Sequence, residues 1–243
     1  MSSSFNVKAD SYSRFAVVQR QLADWLAEWL EPAEQVAALT ALEFGAGDGL
    51  FTRYLAPCFA STTAVDIAPR MIEQGNRVLP HVEWRVDDAW CLENEPVDRL
   101  FSASLLQWCE DPAKVLRHWR TLAKPNGRML HGFYVAPTLI DWQSIANLRS
   151  PIIWRSPEQW KSYFCEAGWT ILRSEAHPRV LRFDSALDLL RFFHHTGAIT
   201  RRNTPIGTLR QMMATYDRDF AIAKEDRAVT STWTFFRIEV ANR

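Results

Sequence analysis

Apolar and polar residues alternate with two different periods along the chain. In residues 14–30, apolar side chains recur every three or four positions, which predicts an amphipathic helix. Short apolar runs rich in β-branched and aromatic residues then predict strands over 40–47, 61–68, 81–89, 97–105 and 127–135. Amphipathic stretches between them predict helices over 50–59, 69–79 and 111–123, the last capped by Asp111. We expect the "KPNG" stretch before the fifth strand to be a turn.

This alternation determines the fold class that we expect. Strands followed by helices at this spacing form right-handed βαβ units around a parallel sheet. The second half adds a helix over 156–169, an extended stretch over 170–183, two helices over 185–198 and 208–225, and a final strand over 231–243. We therefore predict one α/β, Rossmann-like domain spanning 1–243. Its parts are an N-terminal helical lid at about 5–31, a core at about 35–183 and 228–243, and a helical cap at about 184–227.

Composition narrows the class of protein. The chain has 243 residues, 47% of them hydrophobic, and 28 basic residues balance 28 acidic ones. Such a neutral chain has no overall field that would attract nucleic acid or an anionic membrane. The 11 tryptophans fall mainly at helical core spacing, which is not the arrangement of a base-stacking platform. Neither a signal peptide nor a membrane span is evident, and the four cysteines lack metal-ligand spacing. We expect a cytoplasmic protein without a bound metal.

The stretch "LEFGAGDGLF" after the first strand carries the clearest chemical motif. Gly45, Gly47 and Gly49 alternate in a strand-to-helix turn, a design that lets a ligand approach the backbone and helix N-terminal amides. Dinucleotide-binding proteins would require a glycine where this chain has Leu50. Together with Glu43, the spacing resembles motif I of the class I S-adenosylmethionine-dependent methyltransferases.

Two further carboxylates fall at strand ends in the matching register. Asp66 ends the second strand, where a carboxylate can accept hydrogen bonds from both ribose hydroxyls. Asp88 follows the third strand and is the predicted partner of the adenine amino group, beside Ala89 and Trp90. This third acidic position favours S-adenosylmethionine over a nicotinamide nucleotide, with S-adenosylhomocysteine as the product. The remaining predicted cofactor contacts are Arg14, Ala46, Ile67, Met71, Ser102 and Leu105.

Three segments outside the cofactor motifs carry a narrower resemblance. "YSRFAVVQRQLADWL", "LFSASLLQWCEDP" and "HHTGAITRRN" are similar, in the same order, to segments of the malonyl-[acyl-carrier-protein] O-methyltransferases of biotin synthesis. The resemblance runs from about Tyr12 to the last strand. The bulky "FFHHTGA" departs from the small, glycine-rich run usual there. The resemblance implies methylation of the free carboxylate of malonyl-acyl carrier protein; a small polycarboxylic acid is the alternative acceptor.

Methylation of a carboxylate needs alignment more than a base, because the acceptor is already ionised at neutral pH. The side chains predicted to orient it are Tyr12, Gln107 and Arg201 as catalytic residues, with Trp108, His131, Arg155 and Arg202 contacting the substrate. The acidic carrier protein would require a basic docking patch, predicted at Arg149, Arg155, Lys161, Arg201, Arg202 and Arg210. Two alternatives stay open: a nicotinamide-dependent oxidoreductase, disfavoured by Leu50 and Asp88, and a non-catalytic sensor of S-adenosylmethionine.

Overall fold

A computed structural model describes residues 16–146, 152–196, 205–223 and 228–243. Its strands are β1 (Thr40–Phe44), β2 (Ser61–Asp66), β3 (Glu83–Val86), β4 (Val97–Ala103), β5 (Ala123–Tyr134), β6 (Thr170–Phe183) and β7 (Val229–Ala241). Its helices are α1 (Val17–Ala27), α2 (Ala33–Val36), α3 (Thr52–Leu55), α4 (Pro69–Val78), α5 (Pro112–Thr121), α6 (Ile140–Ala146), α7 (Pro157–Glu166), α8 (Ala186–Thr196) and α9 (Ile206–Asp219). A single 3₁₀ turn, Leu106–Trp108, follows β4. None of the helices in these ranges has the length and apolar character needed to cross a bilayer.

The seven strands form one sheet in the order β3-β2-β1-β4-β5-β7-β6. The pairs from β3 to β5 are all parallel, whereas β7 runs antiparallel to both β5 and β6. The predicted fold class, a mostly parallel sheet with an antiparallel last strand, is confirmed. The strand order reverses between β2–β1 and β4, and open α/β sheets bind ligands outside the carboxyl ends of strands at such a point.

Both faces of the sheet are covered by apolar side chains. On one face, Trp119 of α5 stacks on Phe44 with ring centroids 4.2 Å apart, and Trp160 and Phe164 of α7 extend the same core. On the other face, α1 places Leu26 against the sheet beside β5. Alternate residues of β1 therefore face opposite layers, so Leu42 and Phe44 enter one core while Ala41 and Glu43 lie on the α1 side.

The helix boundaries follow local capping chemistry. The Asp111 side chain accepts a hydrogen bond from the Lys114 backbone N–H, as predicted for this N-cap. Ser156 and Gln159 form a reciprocal capping box at the start of α7. The helix predicted at 50–59 is much shorter, four residues, and the short helices α2 and α6 were not predicted. Four- and seven-residue helices contain too few turns to produce a recognisable period.

The "KPNG" stretch differs from its prediction. It lies inside β5 as an irregularity, because pairing with β4 shifts between Val97 and Arg99. Asn126 adopts φ +62° there, and its backbone N–H donates to the carbonyl of Asn242. A bulge and a turn use the same residue types, so sequence alone did not distinguish them.

Helices α8 and α9 follow β6 and precede β7 along the chain. Both pack with α6 in one aromatic cluster that includes Trp142, Phe193 and Trp233. Inside it, the Tyr216 hydroxyl donates to Asp141 Oδ2 at 2.7 Å. These helices occupy the segment in which a cap was predicted; the division into lid, core and cap stays a prediction.

Candidate active site

The glycine turn after β1 forms the floor of a cavity at the carboxyl edge of the sheet. Gly45 and Gly47 have φ values of +65° and +58°, in the left-handed region that favours glycine. A Cβ atom on Gly45 would lie 2.8 Å from Leu105 Cδ1, whereas one on Gly47 would meet no atom within 4 Å. The Gly47 backbone therefore borders open space that a ligand can enter.

The cavity measures about 140 Å³. It is lined by residues from the ends of β1, β2, β3 and β4. These residues are distant in sequence and lie close together because the four strands are parallel in one sheet. All but two of its lining residues were predicted site residues; the exceptions are Ala103 and Ser104. The lining consists of Gly45, Gly47, Asp66, Ile67, Met71, Asp88, Ala89, Trp90, Ala103, Ser104, Leu105 and Trp108.

Asp66 is held rigidly by the backbone around it. Its Oδ2 accepts a hydrogen bond from Gly47 N–H at 2.9 Å, and its Oδ1 accepts one from Ala68 N–H at 2.8 Å. Burial raises the pKa of Asp66, an effect that the backbone N–H groups oppose. Each oxygen retains acceptor capacity beyond one N–H, so the carboxylate is oriented before any ligand arrives.

Asp88 and the two residues after it form the opposite wall. Asp88 Oδ1 accepts from the Trp90 backbone N–H at 3.0 Å, which closes a local turn. The Trp90 ring stacks on Trp119, with centroids 5.8 Å apart, and Trp119 in turn donates its indole N–H to the Ala89 carbonyl. A flat apolar wall beside a carboxylate suits a ring that carries an exocyclic amino group.

A second, smaller cavity of about 30 Å³ adjoins the first. The two share Gly45, Gly47, Ala103 and Ser104. Its other lining residues come from α1, from β1 and from the glycine turn that leads into α3, and they include the predicted residues Glu43 and Ala46. They are Gln19, Ala23, Glu43, Ala46, Asp48, Leu50 and Phe51.

The pKa of the Glu43 carboxyl group is strongly perturbed. It is 1% exposed, and burial raises its pKa to about 8, against an opposing hydrogen bond from Thr52. The nearby charge of Asp66 adds a smaller upward effect. A buried carboxyl group of this kind favours a cationic partner that would stabilise its ionised form.

Among the described residues, the ionisable side chains that line the two cavities are all acidic. Carboxylates of Glu43, Asp48, Asp66 and Asp88 border them, and among the described residues neither cavity is lined by a lysine or an arginine. In the same part of the chain, no group of three or more His, Cys, Asp or Glu residues is placed to hold a metal ion. The site is therefore suited to a ligand that carries positive charge.

Ser102 and His131, predicted to contact the cofactor and the substrate, line neither of these two cavities. Paired in the β4–β5 register, they lie on the face covered by α5 and α7, and both are fully buried. Ser102 Oγ lies 2.6 Å from His131 Nδ1, and burial lowers the pKa of His131 to about 3. The pair is a neutral polar contact inside the core.

Arg155, Gln107 and Gly49, also predicted as site residues, line neither of the two cavities. The Arg155 guanidinium donates to the carbonyls of Cys109 and Glu110, so it supports the loop after β4. Gln107 is 4% exposed, and its Nε2 donates to the Ser104 carbonyl. A Cβ atom on Gly49 would contact Trp84, which places this glycine behind the turn.

Several predicted residues lie outside the described residues: Tyr12 and Arg14 near the N-terminus, Arg149 before α7, and Arg201 and Arg202 in the predicted cap. Of the basic patch, Arg155, Lys161 and Arg210 are described. Lys161 lies 3.6 Å from Glu158, and Arg210 is exposed on α9. The polar cavity residues that were missed are Gln19, Asp48 and Ser104, of which Ser104 borders both cavities. The position of Ser104 at the end of a predicted strand was the signal that could have identified it as a site residue.

Comparison with known proteins places these observations in context. A sequence model of the methyltransferase domain family matches residues 42–131, from β1 into β5. The malonyl-[acyl-carrier protein] O-methyltransferase of Halorhodospira halophila is 33% identical over 145 residues, covering 56% of this chain and 48% of that protein. That match spans about half of the relative's length. The enzyme of the same name from Porphyromonas gingivalis is 28% identical over 228 residues, 92% of this chain and 88% of that one.

Solved structures agree on the architecture. The YcgJ protein of Bacillus subtilis superposes with a TM-score of 0.68 over 92% of this chain and 98% of its own, at 16% sequence identity. At this identity the likeness concerns the fold alone. The fold and the family match therefore agree, and the matched residues include the glycine turn.

Proposed function

We propose that this class I S-adenosylmethionine-dependent methyltransferase converts the free carboxylate of malonyl-acyl carrier protein into its methyl ester. The observation that carries the cofactor assignment is the acid-lined cavity built around the glycine turn. The acceptor assignment is supported by the similarity to the Porphyromonas enzyme, which extends over 92% of this chain and so includes segments outside the cofactor motifs.

The residues present fit S-adenosylmethionine. Asp66, held by Gly47 and Ala68, would accept hydrogen bonds from the ribose hydroxyls, and Asp88 with the Trp90 ring would hold adenine. Glu43 and the turn backbone would face the amino-acid end, where burial keeps the carboxyl ready to ionise beside a cation. When bound, the cofactor supplies an electrophilic methyl group on a positively charged sulfur.

The chain's own contribution is then positioning and the exclusion of water. Ala103, Ser104, Leu105 and Trp108 line the cavity beside the glycine turn. An apolar, enclosed site accelerates a reaction in which two opposite charges cancel, because water would stabilise the separated charges more than the transition state. An ionised carboxylate needs no general base under these conditions.

The direct test is incubation with methyl-labelled S-adenosylmethionine and malonyl-acyl carrier protein. We expect label in an ester on the carrier protein, and none when acetyl-acyl carrier protein is used. Label in free malonate, citrate or another polycarboxylate, with none on the carrier protein, would reject the proposed acceptor while keeping the reaction type. Thermal stabilisation by S-adenosylhomocysteine but not by NAD would separately test the cofactor class.

A further inference from the structure

Ser104 occupies the point where the two cavities meet. It borders both of them and follows directly after β4, on the edge of the sheet where the acceptor must lie. Its φ is +61°, a left-handed conformation that is uncommon and costly for a residue with a Cβ atom. Such a conformation persists only when neighbouring contacts enforce it.

Two hydrogen bonds enforce the conformation of Ser104. Its backbone N–H donates to the Gly132 carbonyl of β5 at 2.8 Å, and its own carbonyl accepts from Gln107 Nε2 at 2.7 Å. The first bond extends the β4–β5 ladder past the end of β4, and the second ties the residue to the 3₁₀ turn. The direction of the Ser104 side chain is therefore fixed by the backbone on both sides.

The Ser104 hydroxyl lies next to a second hydroxyl group, that of the buried residue Tyr134. Tyr134, the last residue of β5, is 4% exposed, and its hydroxyl lies 3.1 Å from Ser104 Oγ. Burial raises the pKa of Tyr134, with the Ser104 hydrogen bond opposing, so the phenol stays protonated at neutral pH. The Trp233 ring holds the phenol ring edge-on at 5.0 Å. When Tyr134 donates to Ser104 Oγ, the serine proton is available for another acceptor, and such chained hydrogen bonds reinforce each other.

We infer that the Ser104 hydroxyl, oriented by Tyr134, donates a hydrogen bond to the non-attacking oxygen of the substrate carboxylate. The inference rests on the proposed function. In the transfer, one carboxylate oxygen forms a bond to the methyl carbon while the bond from that carbon to sulfur breaks, and its electron pair stays on sulfur. The negative and positive charges both disappear, and no proton moves, so Ser104 and Tyr134 keep theirs.

A neutral donor suits this reaction better than a cation. A lysine or arginine would stabilise the carboxylate most in the ground state, before its charge is lost, and would raise the barrier. The described cavity residues match this requirement, since they offer one hydroxyl donor, that of Ser104, and no basic side chain. Ser104 would thus be a substrate-binding residue, and Tyr134 a positioning residue that acts through it.

The test measures acceptor affinity separately from folding and cofactor binding. Ser104→Ala and Tyr134→Phe remove one hydroxyl each, and Ser104→Gly removes the hydroxyl while relieving the positive φ. Asn126→Gly is the matched control, because it relieves a similar φ of +62° in the β5 bulge outside both cavities. The probes are malonyl-pantetheine and its methyl ester, each titrated into the protein saturated with S-adenosylhomocysteine.

Ser104→Ala and Ser104→Gly should bind malonyl-pantetheine about tenfold or more weakly, as expected for a lost hydrogen bond to a charged group. Tyr134→Phe keeps that donor but loses its orienting contact, so it should weaken binding by a smaller factor. The affinities of all three variants for the methyl ester, which has no ionised carboxylate, and for S-adenosylhomocysteine should stay within about twofold. Equal weakening for the acid and the ester, or unchanged affinity for both, would overturn the inference. If the unmodified protein methylates no malonyl thioester, the proposed function fails first and the inference fails with it.

Discussion

Thr52 Oγ1 donates a 2.6 Å hydrogen bond to Glu43 Oε2, and both side chains are buried at the junction of β1, α1 and α3. Because burial raises the pKa of Glu43 to about 8, its carboxyl group is mostly protonated at pH 7 when no cation lies beside it. The short hydrogen bond keeps the group oriented toward the second cavity in either protonation state.

Binding of the cofactor should therefore release a proton. The positive charge at the amino-acid end of the ligand would favour ionised Glu43 and lower its pKa. Titration calorimetry with S-adenosylhomocysteine at pH 7, in two buffers of different ionisation enthalpy, should reveal the release as a buffer-dependent heat. Glu43→Gln should bind more weakly and remove that dependence. A buffer-independent heat in the unmodified protein would contradict the linkage.

The same group should make the ligand-free protein less stable as pH rises. Between about pH 4.5 and 8 the unfolded chain loses the Glu43 proton while the folded chain keeps it, so the folded state binds more protons and the free energy of unfolding falls with pH. Urea unfolding at pH 5, 6, 7 and 8 measures the slope. The difference between the unmodified protein and Glu43→Gln isolates this group, and the decline should amount to a few kcal/mol. Parallel curves for the two proteins would show that Glu43 ionises freely in the fold.

Asp66 should contribute more to cofactor affinity than any exposed carboxylate. Asp66→Asn removes the charge from a group expected to accept two ribose hydrogen bonds, so the dissociation constant for S-adenosylhomocysteine should rise about 10- to 100-fold. Glu73→Gln on α4 is the control, since Glu73 is exposed and its carboxylate pairs with Arg77 four residues on. A similar change in both variants would argue against a specific role for Asp66.

Gly47 and Gly45 should respond differently to alanine. Gly47→Ala introduces a methyl group into open cavity space, so it should weaken cofactor binding at least tenfold while costing about 1 kcal/mol of stability through the left-handed φ. Gly45→Ala also forces its Cβ atom to 2.8 Å from Leu105, and it should lose more stability. Chemical denaturation and ligand titration of both variants distinguish the effects. Full cofactor affinity in Gly47→Ala would show that the ligand does not approach this backbone.

The sequence predicted the part of the site that depends on strand ends. Because parallel strands end at one edge of the sheet, Gly47, Asp66 and Asp88 could be placed together from their register alone, and the structure brings all three to one cavity. The same logic pointed to Leu105 and Trp108 after β4. Position near a strand end does not tell on which face of the sheet a side chain lies. Ser102 was predicted to contact the cofactor, yet its side chain faces the opposite layer.

The sequence could not show which distant groups a polar side chain contacts in the folded protein. An arginine such as Arg155 looks the same in sequence whether it meets a substrate or, as here, two backbone carbonyls 46 and 45 residues earlier in the chain. Tyr134 was predicted as part of a strand, but its contact with Ser104 depends on how the ends of β4 and β5 are aligned. Local periodicity determines which elements form, whereas such pairings follow only from the packed sheet.

Arg237 of β7 links α1 to the sheet and should be a major contributor to stability. Its guanidinium donates to Glu175 at 2.7 Å, to Glu28 at 3.0 Å and to the Trp25 carbonyl, and it lies over the Trp25 and Trp29 rings at 4.1 and 4.3 Å. Both glutamates keep access to water, so replacing the arginine does not strand a buried charge. Arg237→Met should therefore lower the free energy of unfolding by about 2–3 kcal/mol, from the lost hydrogen bonds and cation–π contacts.

Arg237→Lys distinguishes the contribution of the positive charge to stability from that of the planar guanidinium group. A lysine retains the positive charge but not the planar fork that reaches several acceptors, so it should recover only about half of the loss. The control is Arg218→Met, which removes an exposed pair with Asp219 and should leave the urea midpoint unchanged. A loss below about 0.5 kcal/mol in Arg237→Met would place the attachment of α1 in its apolar contacts with β5 instead, because substitutions without a structural role fall in that range.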